Sequence, residues 1–358
     1  MRITALVKSL DHVCCRYRVA AYRPYFEQAG HRLEIIPCPR GWFSGFRLPA
    51  ELKPTDVLLV QRRLLSAWQL GQLRRQARWL VYDFDDAVFA RDSFAARGLH
   101  SDRRLRGFVG MVQAADAVVA GNAFLRDQAA MVAPAERVHI IQTCLDVHRY
   151  GPAEHRPRER IRLVWIGAAS TLRGLQRIRP ILEAIGRRIP GASLKVICDR
   201  PLHLQHLSVT FVPWSEETEA AELADTDVGI NWLPDDLWSQ GKCGLKILQY
   251  MAAGLPVIAN AVGVQADLVR HGETGLVAES ASEWLSAVEA LARDPELRRR
   301  LGQAGRRRVL AEFSVEGGAA RWLNILASLE CRPHSPCAEV PAHAARRPPK
   351  TPAKSRPS

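Results

Sequence analysis

The sequence predicts an α/β protein with two doubly wound parallel sheets. Short runs rich in Val, Ile and Leu alternate with amphipathic segments along the chain, which is the pattern of parallel strands joined by crossover helices. The chain has 358 residues, and because domains usually take roughly 100–200 residues each, we expect two domains. A hydrophobic fraction of 47% is enough for both domains to build a core.

The predicted strands form two groups. In the first half we expect strands at residues 3–7, 33–36, 57–60, 80–83, 117–120 and 138–141. In the second half we expect strands at residues 162–166, 194–198, 209–212, 228–232 and 256–259, followed by helices at 282–292, 295–312 and 315–330. Each group is large enough to form its own Rossmann-like sheet.

A polar segment separates the two groups. Residues 146–160 contain two prolines and lack periodicity, as linkers do. We therefore predict an N-terminal domain at residues 1–150 and a C-terminal domain at residues 151–314, with the helix at 315–330 packing back onto the first domain. Residues 331–358 are rich in proline and carry six basic residues against one acidic residue, so we expect a disordered basic tail there.

The charge and the cysteine content exclude some classes of function but do not identify the function. The formal net charge is +13 at pH 7, and a basic surface attracts nucleic acids, anionic lipids and phosphorylated substrates alike. The sequence has no helix-turn-helix, zinc-finger or RNP-like pattern, so we expect no nucleic-acid partner. The eight cysteines form no CxxC pair, which predicts a reducing compartment and no metal site.

The N-terminal sequence indicates a cytoplasmic protein. The segment MRITALVK has five apolar residues before Lys8, which is too few for the core of a signal peptide. Residues 251–266 lie within the longest uncharged run, which is interrupted by Gly254, Pro256 and Gly263 and does not predict a membrane span. Membrane contact is therefore expected to be peripheral at most, at an anionic inner face.

A small-residue loop follows the predicted strand at 162–166. Its residues include Gly167, Ser170, Thr171 and Arg173. Such a loop lets a phosphate approach backbone N–H groups at the start of the next helix, where Thr171 is a candidate N-cap and Arg173 adds a positive charge. The alternative is an ordinary tight turn, because the GxxxxGK[ST] pattern is absent.

A second candidate site lies at residues 241–249. If the helix there extends back far enough, Lys242, Lys246 and Gln249 share one polar stripe, close to Gly244. Lysines at a helix N-terminus oppose the helix dipole, so two of them favour a compensating anion such as a diphosphate. The alternative is that both lysines are solvated.

The third candidate is the sequence DFDD at the end of the strand at 80–83. Asp83, Asp85 and Asp86 contain a DxD pattern, which in some enzymes binds a metal–diphosphate complex. A three-residue match is weak, and carboxylates at a strand end serve equally well as N-caps of the next segment.

Residues 242–277 strongly resemble the C-terminal signature of the retaining GT-B glycosyltransferases of the "group 1" (family 4-like) family. In that family two glutamates, separated by seven residues, are followed by A-M-A-x-G-x-P-V-[VI]-A and later by G-x-x-G. Here residues 250–259 read YMAAGLPVIA and residues 272–275 read GETG. Residues 167–175 align with the family's diphosphate loop, and Arg173 takes the place of its lysine. The resemblance spans most of residues 138–330.

The resemblance implies a GT-B fold, in which two Rossmann-like domains face each other across a cleft. It also implies transfer of a sugar from a nucleotide-diphosphate sugar, with retention and without a metal or other cofactor. The leaving diphosphate is then stabilised by Arg173, Lys246 and Lys242. Trp214 is a candidate for stacking on the nucleobase, with a purely structural core tryptophan as the alternative.

The acceptor is expected at the loops formed by residues 8–18 and 83–91. There Asp85 and Asp86 are candidates for contacting an acceptor hydroxyl or the transferred sugar. The basic surface fits a cell-surface glycan or a lipid-linked acceptor, as in polysaccharide biosynthesis.

Three positions depart from the family pattern. Gly241 and Gln249 stand where the two glutamates are expected, and Ala168 stands where arginine is common. In an ordinary member the first glutamate lies near the sugar and the second binds the ribose hydroxyls. Gln249 retains hydrogen-bonding groups for a ribose but loses the carboxylate. The departures keep open a nucleotide-sugar-binding scaffold without catalysis; an epimerase is disfavoured by the group 1 signature.

Overall fold

The computed structural model describes residues 1–38, 52–157 and 160–331. Its first sheet has six parallel strands in the order β2-β1-β3-β4-β5-β6. The strands are β1 Arg2–Val7, β2 Arg32–Pro37, β3 Thr55–Gln61, β4 Ala77–Phe84, β5 Ala117–Ala120 and β6 Val138–Ile140. Their near-continuous apolar runs reflect burial on both faces of the sheet.

The second sheet also has six parallel strands, in the order β12-β11-β10-β7-β8-β9. The strands are β7 Arg162–Ile166, β8 Ser193–Cys198, β9 Ser208–Pro213, β10 Val228–Asn231, β11 Val257–Ala259 and β12 Gly275–Val277. The chain reverses direction across the sheet between β7 and β10. In such sheets ligands bind beyond the carboxyl ends of the strands at this reversal.

Helices cover both faces of the two sheets. They are α1 Val13–Arg18, α2 Arg23–Gln28, α3 Ala67–Arg74, α4 Asp102–Ala114, α5 Ala123–Ala130, α6 Ala169–Arg177, α7 Arg179–Arg188, α8 Glu219–Ala224, α9 Leu237–Gln240, α10 Leu245–Ala252, α11 Gln265–Leu268, α12 Ala281–Arg293, α13 Pro295–Glu312 and α14 Val315–Glu330. Within the described ranges, none of them combines the length and apolar content needed to cross a bilayer.

Helix α14 packs on the first sheet, although it follows the second sheet in the chain. Trp322 and Leu329 are buried in the same cluster as Ile3 and Phe26. The edge of the Trp322 ring packs against Phe26, with ring centroids 6.3 Å apart. The chain therefore runs from the first sheet to the second and then returns.

Close packing of α13 against α10 fixes the helix that carries the candidate lysines. A Cβ atom at Gly302 would lie 1.9 Å from the carbonyl oxygen of Gly254, and a Cβ at Gly305 would lie 3.0 Å from Met251. Only glycine permits this approach. The close contact holds the buried face of α10 between α13 and the sheet.

The predicted α/β class with two doubly wound sheets is confirmed. The eleven predicted strands are present, with ends that shift by at most three residues. The twelfth strand, β12, was not predicted; it has three residues and begins with glycine, which is uncommon in strands. Of the predicted tail, residues 332–358 lie outside the described residues.

Candidate functional site

The loops at the carboxyl ends of the two sheets contact each other, and the candidate residues lie among these loops. Ser93, which follows β4, donates a hydrogen bond to Asp236, which follows β10, at 3.1 Å. The side chain of Asn122, after β5, donates to the carbonyl oxygens of Gln240 (3.2 Å) and Lys242 (2.9 Å). The two halves therefore meet where the topology of each sheet predicts ligand binding.

Lys246 projects from the first turn of α10 towards the small-residue loop after β7. Its Nζ donates to Thr171 Oγ1 at 3.4 Å and lies 5.2 Å from the centre of the Trp165 ring. A Cβ atom at Gly167 would lie 2.7 Å from Lys246 Cε, so glycine is required for the lysine to approach. The structure thus brings together two segments that the sequence analysis identified separately.

No carboxylate within the described part of the chain pairs with Lys246. Desolvation by burial, reinforced by the nearby charge of Lys242, lowers the pKa of Lys246 to about 8. An ammonium group that is partly removed from water and has no carboxylate partner is costly, and a bound anion would offset this cost.

The first turn of α10, which carries Lys246, has no side-chain cap for its backbone N–H groups. Gly244 has φ +69 and no side chain to cap the helix. A Cβ there would lie 2.3 Å from Leu268 Cδ1, which adds a steric reason for glycine. The first N–H groups of a helix carry partial positive charge and favour an anion.

Lys242 lies before α10 and has a different environment. Its Nζ pairs with Asp86 Oδ1 at 3.0 Å and lies 4.8 Å from the centre of the Trp238 ring. The prediction that Lys242 shares a helical stripe with Lys246 and Gln249 is therefore wrong. Gly244 has a left-handed backbone conformation and α10 begins only after it, so the helix does not extend back to Lys242. The charge of Lys242 is compensated across the interface between the halves.

All three aspartates at the end of β4 have arginine partners. Asp83 is completely buried and is paired with Arg18, which is also buried. Arg62, directly after β3, pairs with both Asp85 (at 3.3 Å) and Asp86. Burial acts to raise the pKa of Asp86, but Arg62 and Lys242 outweigh it and lower this pKa.

The DxD pattern is therefore part of an ion-pair network within the protein. Among the described residues, no group of three or more His, Cys, Asp or Glu side chains is arranged to hold a metal ion. Arg62 has φ +58, a strained conformation for a residue with a side chain, and such strain is frequent at functional sites. Arg62 was not among the predicted site residues, although its position immediately after a buried strand was an available signal.

His12 is a second residue near this network that the sequence analysis missed. It caps α1, where its Nδ1 accepts the N–H of Cys14 at 3.2 Å. Burial and the charges of Lys8 and Arg62 lower the pKa of His12, against the opposing effect of Asp85 and Asp86. The predicted acceptor loops, residues 8–18 and 83–91, are therefore close together.

Gly241 occupies a tight contact with the N-terminal half. A Cβ atom at this position would lie 2.5 Å from the backbone nitrogen of Ala87. The thiol of Cys243 reaches the carbonyl oxygen of Asp85 at 3.3 Å. With the halves in this arrangement, no side chain fits at position 241.

The other residues of the predicted phosphate loop lie on α6. Thr171 is within the helix and its hydroxyl donates to the Ala168 carbonyl at 2.9 Å, so the prediction that Thr171 is the N-cap is wrong; the helix begins at Ala169. Ser170 is exposed on the first turn. Arg173 is exposed and donates to the carbonyl of Phe94 in the N-terminal half at 3.2 Å.

Gln249 and Trp214 belong to a polar cluster that the sequence analysis did not foresee. Gln249 is buried, and its amide nitrogen donates to Tyr17 (3.2 Å), Tyr150 (3.3 Å) and Glu219 (3.4 Å). Trp214, at the carboxyl end of β9, is 44% exposed and donates its indole N–H to Glu219 at 2.9 Å. Trp214 is thus partly accessible to a ligand, whereas the amide nitrogen of Gln249 is already engaged.

The chain is similar in sequence to known proteins. Residues 173–324 match a protein family described as glycosyl transferase-like. Alpha-maltose-1-phosphate synthase from Mycolicibacterium smegmatis is 28% identical over 253 residues, which cover 60% of this chain and 63% of the synthase. The chain thus spans less than two thirds of the length of this curated relative.

Solved structures with the same fold cover nearly the whole chain. Sucrose-phosphate synthase from Thermosynechococcus elongatus has a TM-score of 0.71 at 18% identity, covering 92% of this chain and 99% of the synthase. HepE from Anabaena, solved in complex with UDP and glucose, has a TM-score of 0.66 at 15% identity, covering 92% and 100%. In its sequence signature and its pair of parallel sheets, the chain is similar to the group 1 family of GT-B glycosyltransferases.

Proposed function

We propose that this protein transfers a sugar from a nucleoside-diphosphate sugar to a hydroxyl of a glycan or lipid-linked acceptor. The observation that carries the proposal is the environment of Lys246. Its ammonium group lies beside Gly167 and Thr171, near the N-terminus of α10, without a carboxylate partner among the residues described. A diphosphate provides the anion that this arrangement lacks.

The same arrangement suits the chemistry of glycosyl transfer. When the bond between the anomeric carbon and the diphosphate breaks, negative charge develops on the leaving oxygen. A fixed ammonium group and helix N–H groups stabilise that charge more strongly than they stabilise the intact donor. In the proposal Lys246 contacts the diphosphate, and Arg173 assists from α6.

UDP-glucose is the first donor to test, because HepE has been solved with UDP and glucose. In the proposal the nucleobase stacks on the exposed ring of Trp214. Lys242 has a smaller role than Lys246, because Asp86 already compensates its charge.

The acceptor is proposed to bind beside His12, Asp85 and Arg62, opposite the donor site. Asp85 Oδ1 lies 3.3 Å from Arg62 but accepts no hydrogen bond from the described residues, and it is a candidate to accept one from a substrate hydroxyl. We further propose that transfer proceeds with retention and without a metal. The support for metal independence is that cations surround the donor site and that the nearby aspartates are already paired with arginines.

A thermal-shift screen with UDP-, GDP-, ADP- and dTDP-sugars tests the donor class. A ligand that binds only the folded state raises the melting temperature, by an amount that grows with its concentration relative to Kd. We expect one nucleotide series to stabilise the wild type and to lose most of this effect in Lys246→Ala. No shift with any series would contradict the proposal.

Transfer assays test the remaining parts of the proposal. With the donor identified, we expect turnover to persist in EDTA and NMR of the product to show the donor's anomeric configuration. Loss of turnover in EDTA, reversed by Mn²⁺ or Mg²⁺, would contradict metal independence. Donor binding without transfer or hydrolysis would favour the scaffold alternative, which the buried amide of Gln249 and the missing side chain at Gly241 keep open.

A further inference from the structure

Glu219 is a buried carboxylate that joins both halves of the molecule. It is 2% exposed and lies at the first residue of α8, beyond the carboxyl end of β9. Its Oε1 accepts from Arg16 (2.7 Å) and Tyr17 (3.2 Å) on α1 and from Tyr150 (3.2 Å) after β6. Helix α1 belongs to the first half, so this oxygen is held mostly by the first half.

The other oxygen of Glu219 is held by the second half. Its Oε2 accepts the indole N–H of Trp214 at 2.9 Å and the amide N–H of Gln249 at 3.4 Å. Five donors thus converge on one carboxylate, and a buried charge of this kind is stable only while its donors remain in place. A shift of either half changes the hydrogen bonds available to the other.

The hydroxyl groups complete a closed network. Tyr17 OH and Tyr150 OH are 3.1 Å apart, and each also accepts from Gln249 Nε2. Burial raises the pKa of Tyr150 to about 12, so its hydroxyl is a neutral donor at physiological pH. The network therefore has one formal negative charge, on Glu219, and one partner cation, Arg16.

We propose that Glu219 is a positioning residue that couples nucleotide binding at Trp214 to the docking of α1 against the second half. This inference rests on the proposed function, because it takes the exposed face of Trp214 as the nucleobase contact. A base stacked on Trp214 fixes the indole, the indole N–H fixes Glu219, and Glu219 holds Arg16 and Tyr17. Binding of the nucleotide and approach of the acceptor-side loops then reinforce each other.

Hydrogen exchange with and without UDP tests the coupling in the full-length protein. In the wild type we expect UDP to slow exchange of the backbone amides of α1. Trp214→Phe retains an aromatic face but lacks the indole N–H. We expect it to bind UDP within about tenfold of the wild type, because one hydrogen bond is lost, while α1 no longer responds to UDP.

Matched controls separate this role from general destabilisation. Trp68→Phe alters another exposed tryptophan, and Glu217→Gln alters an exposed glutamate two residues from Glu219. Both should behave as the wild type. UDP protection of α1 that persists in Trp214→Phe, or that is absent from a wild type that binds UDP, would overturn the coupling and leave the proposed function standing.

Glu219→Gln gives a second test that needs no ligand. Arg16 keeps its ion pair with Glu216 at 3.0 Å, so the variant retains one partner for that cation. We expect α1 of the free variant to exchange several-fold faster than α1 of Glu217→Gln. Equal rates would overturn the role of Glu219 between the halves. Failure of the wild type to bind UDP would instead contradict the proposed donor.

Discussion

The loops at the ends of β4 and β7 carry opposite arrangements of charge. After β4, each of Asp83, Asp85 and Asp86 is paired with an arginine. Beside the loop after β7, Lys246 lies against Thr171 and Trp165 and has no carboxylate partner in the described ranges. Charges that are compensated within the protein stabilise its structure, whereas an uncompensated charge marks the place for a charged ligand.

This comparison also bears on the weak DxD match after β4. A DxD pattern at a strand end suggests metal binding when only the sequence is known. In the structure its carboxylates are neutralised by Arg18 and Arg62, which come from distant parts of the chain. The loop at residues 167–174, in contrast, lies beside Lys246, a cation with no carboxylate partner among the described residues.

The largest expected effect is on stability at the compensated site. Asp83→Ala leaves Arg18 buried without its partner, so we expect the free energy of unfolding to fall by about 3–5 kcal/mol. Chemical denaturation measures this. Asp85→Ala is the control, because Arg62 then still pairs with Asp86. If both variants lost the same free energy of unfolding, burial of the Arg18–Asp83 pair would not explain the loss in Asp83→Ala.

The next effect is on activity at the uncompensated site. Lys246→Ala removes the cation proposed to stabilise the leaving diphosphate, so we expect kcat to fall roughly 10²–10³-fold, with the stability of the free protein retained or increased. Steady-state kinetics and thermal unfolding measure the two quantities. The exposed Lys53→Ala serves as the control. Retained activity in Lys246→Ala would remove the main support for the proposed function.

Lys242 should give a smaller loss than Lys246. Its charge is already compensated by Asp86, so we expect Lys242→Ala to lower donor affinity about tenfold or less. Titration with UDP compares the two alanine variants directly. A loss as large as that of Lys246→Ala would show that the ion pair with Asp86 opens when the donor binds.

The smallest effect is the pH dependence of donor affinity. Because the pKa of Lys246 is about 8, its protonated fraction, and with it the affinity for UDP, should fall roughly fourfold between pH 7 and 8.5. The sign follows because only the protonated lysine attracts the diphosphate. Isothermal titration with UDP at pH 7 and at pH 8.5 measures this change in affinity. Lys246→Arg should flatten the profile, and an equally steep profile in that variant would assign the titration to another group.

Much of the fold was predictable because its signals are local. Buried parallel strands leave continuous apolar runs. The two segments predicted to bind phosphate follow β7 and β10, which are neighbouring strands of one sheet. The convergence of Gly167 and Lys246 therefore followed from topology. The start of α10 was misplaced because only the φ angle of Gly244, and not its sequence neighbours, shows where the helix begins.

The residues that connect the halves were not predictable in the same way. Gln249 and Tyr17 are 232 positions apart, and Glu219 and Arg16 are 203 apart. A glutamate at the start of a short helix has the sequence features of an ordinary surface residue. Only the packing of α1 against the second half reveals that Glu219 is buried and shared.

The return of α14 to the first sheet has a consequence for synthesis of the protein. The core of the first half includes Trp322 and Leu329, which the ribosome adds after every strand of the second half. Domains that are continuous in sequence can fold as they emerge, one after the other. Here the first half cannot complete its core until the last described helix has left the ribosome. While the second half is being translated, the apolar surface that α14 covers on the first sheet therefore stays exposed.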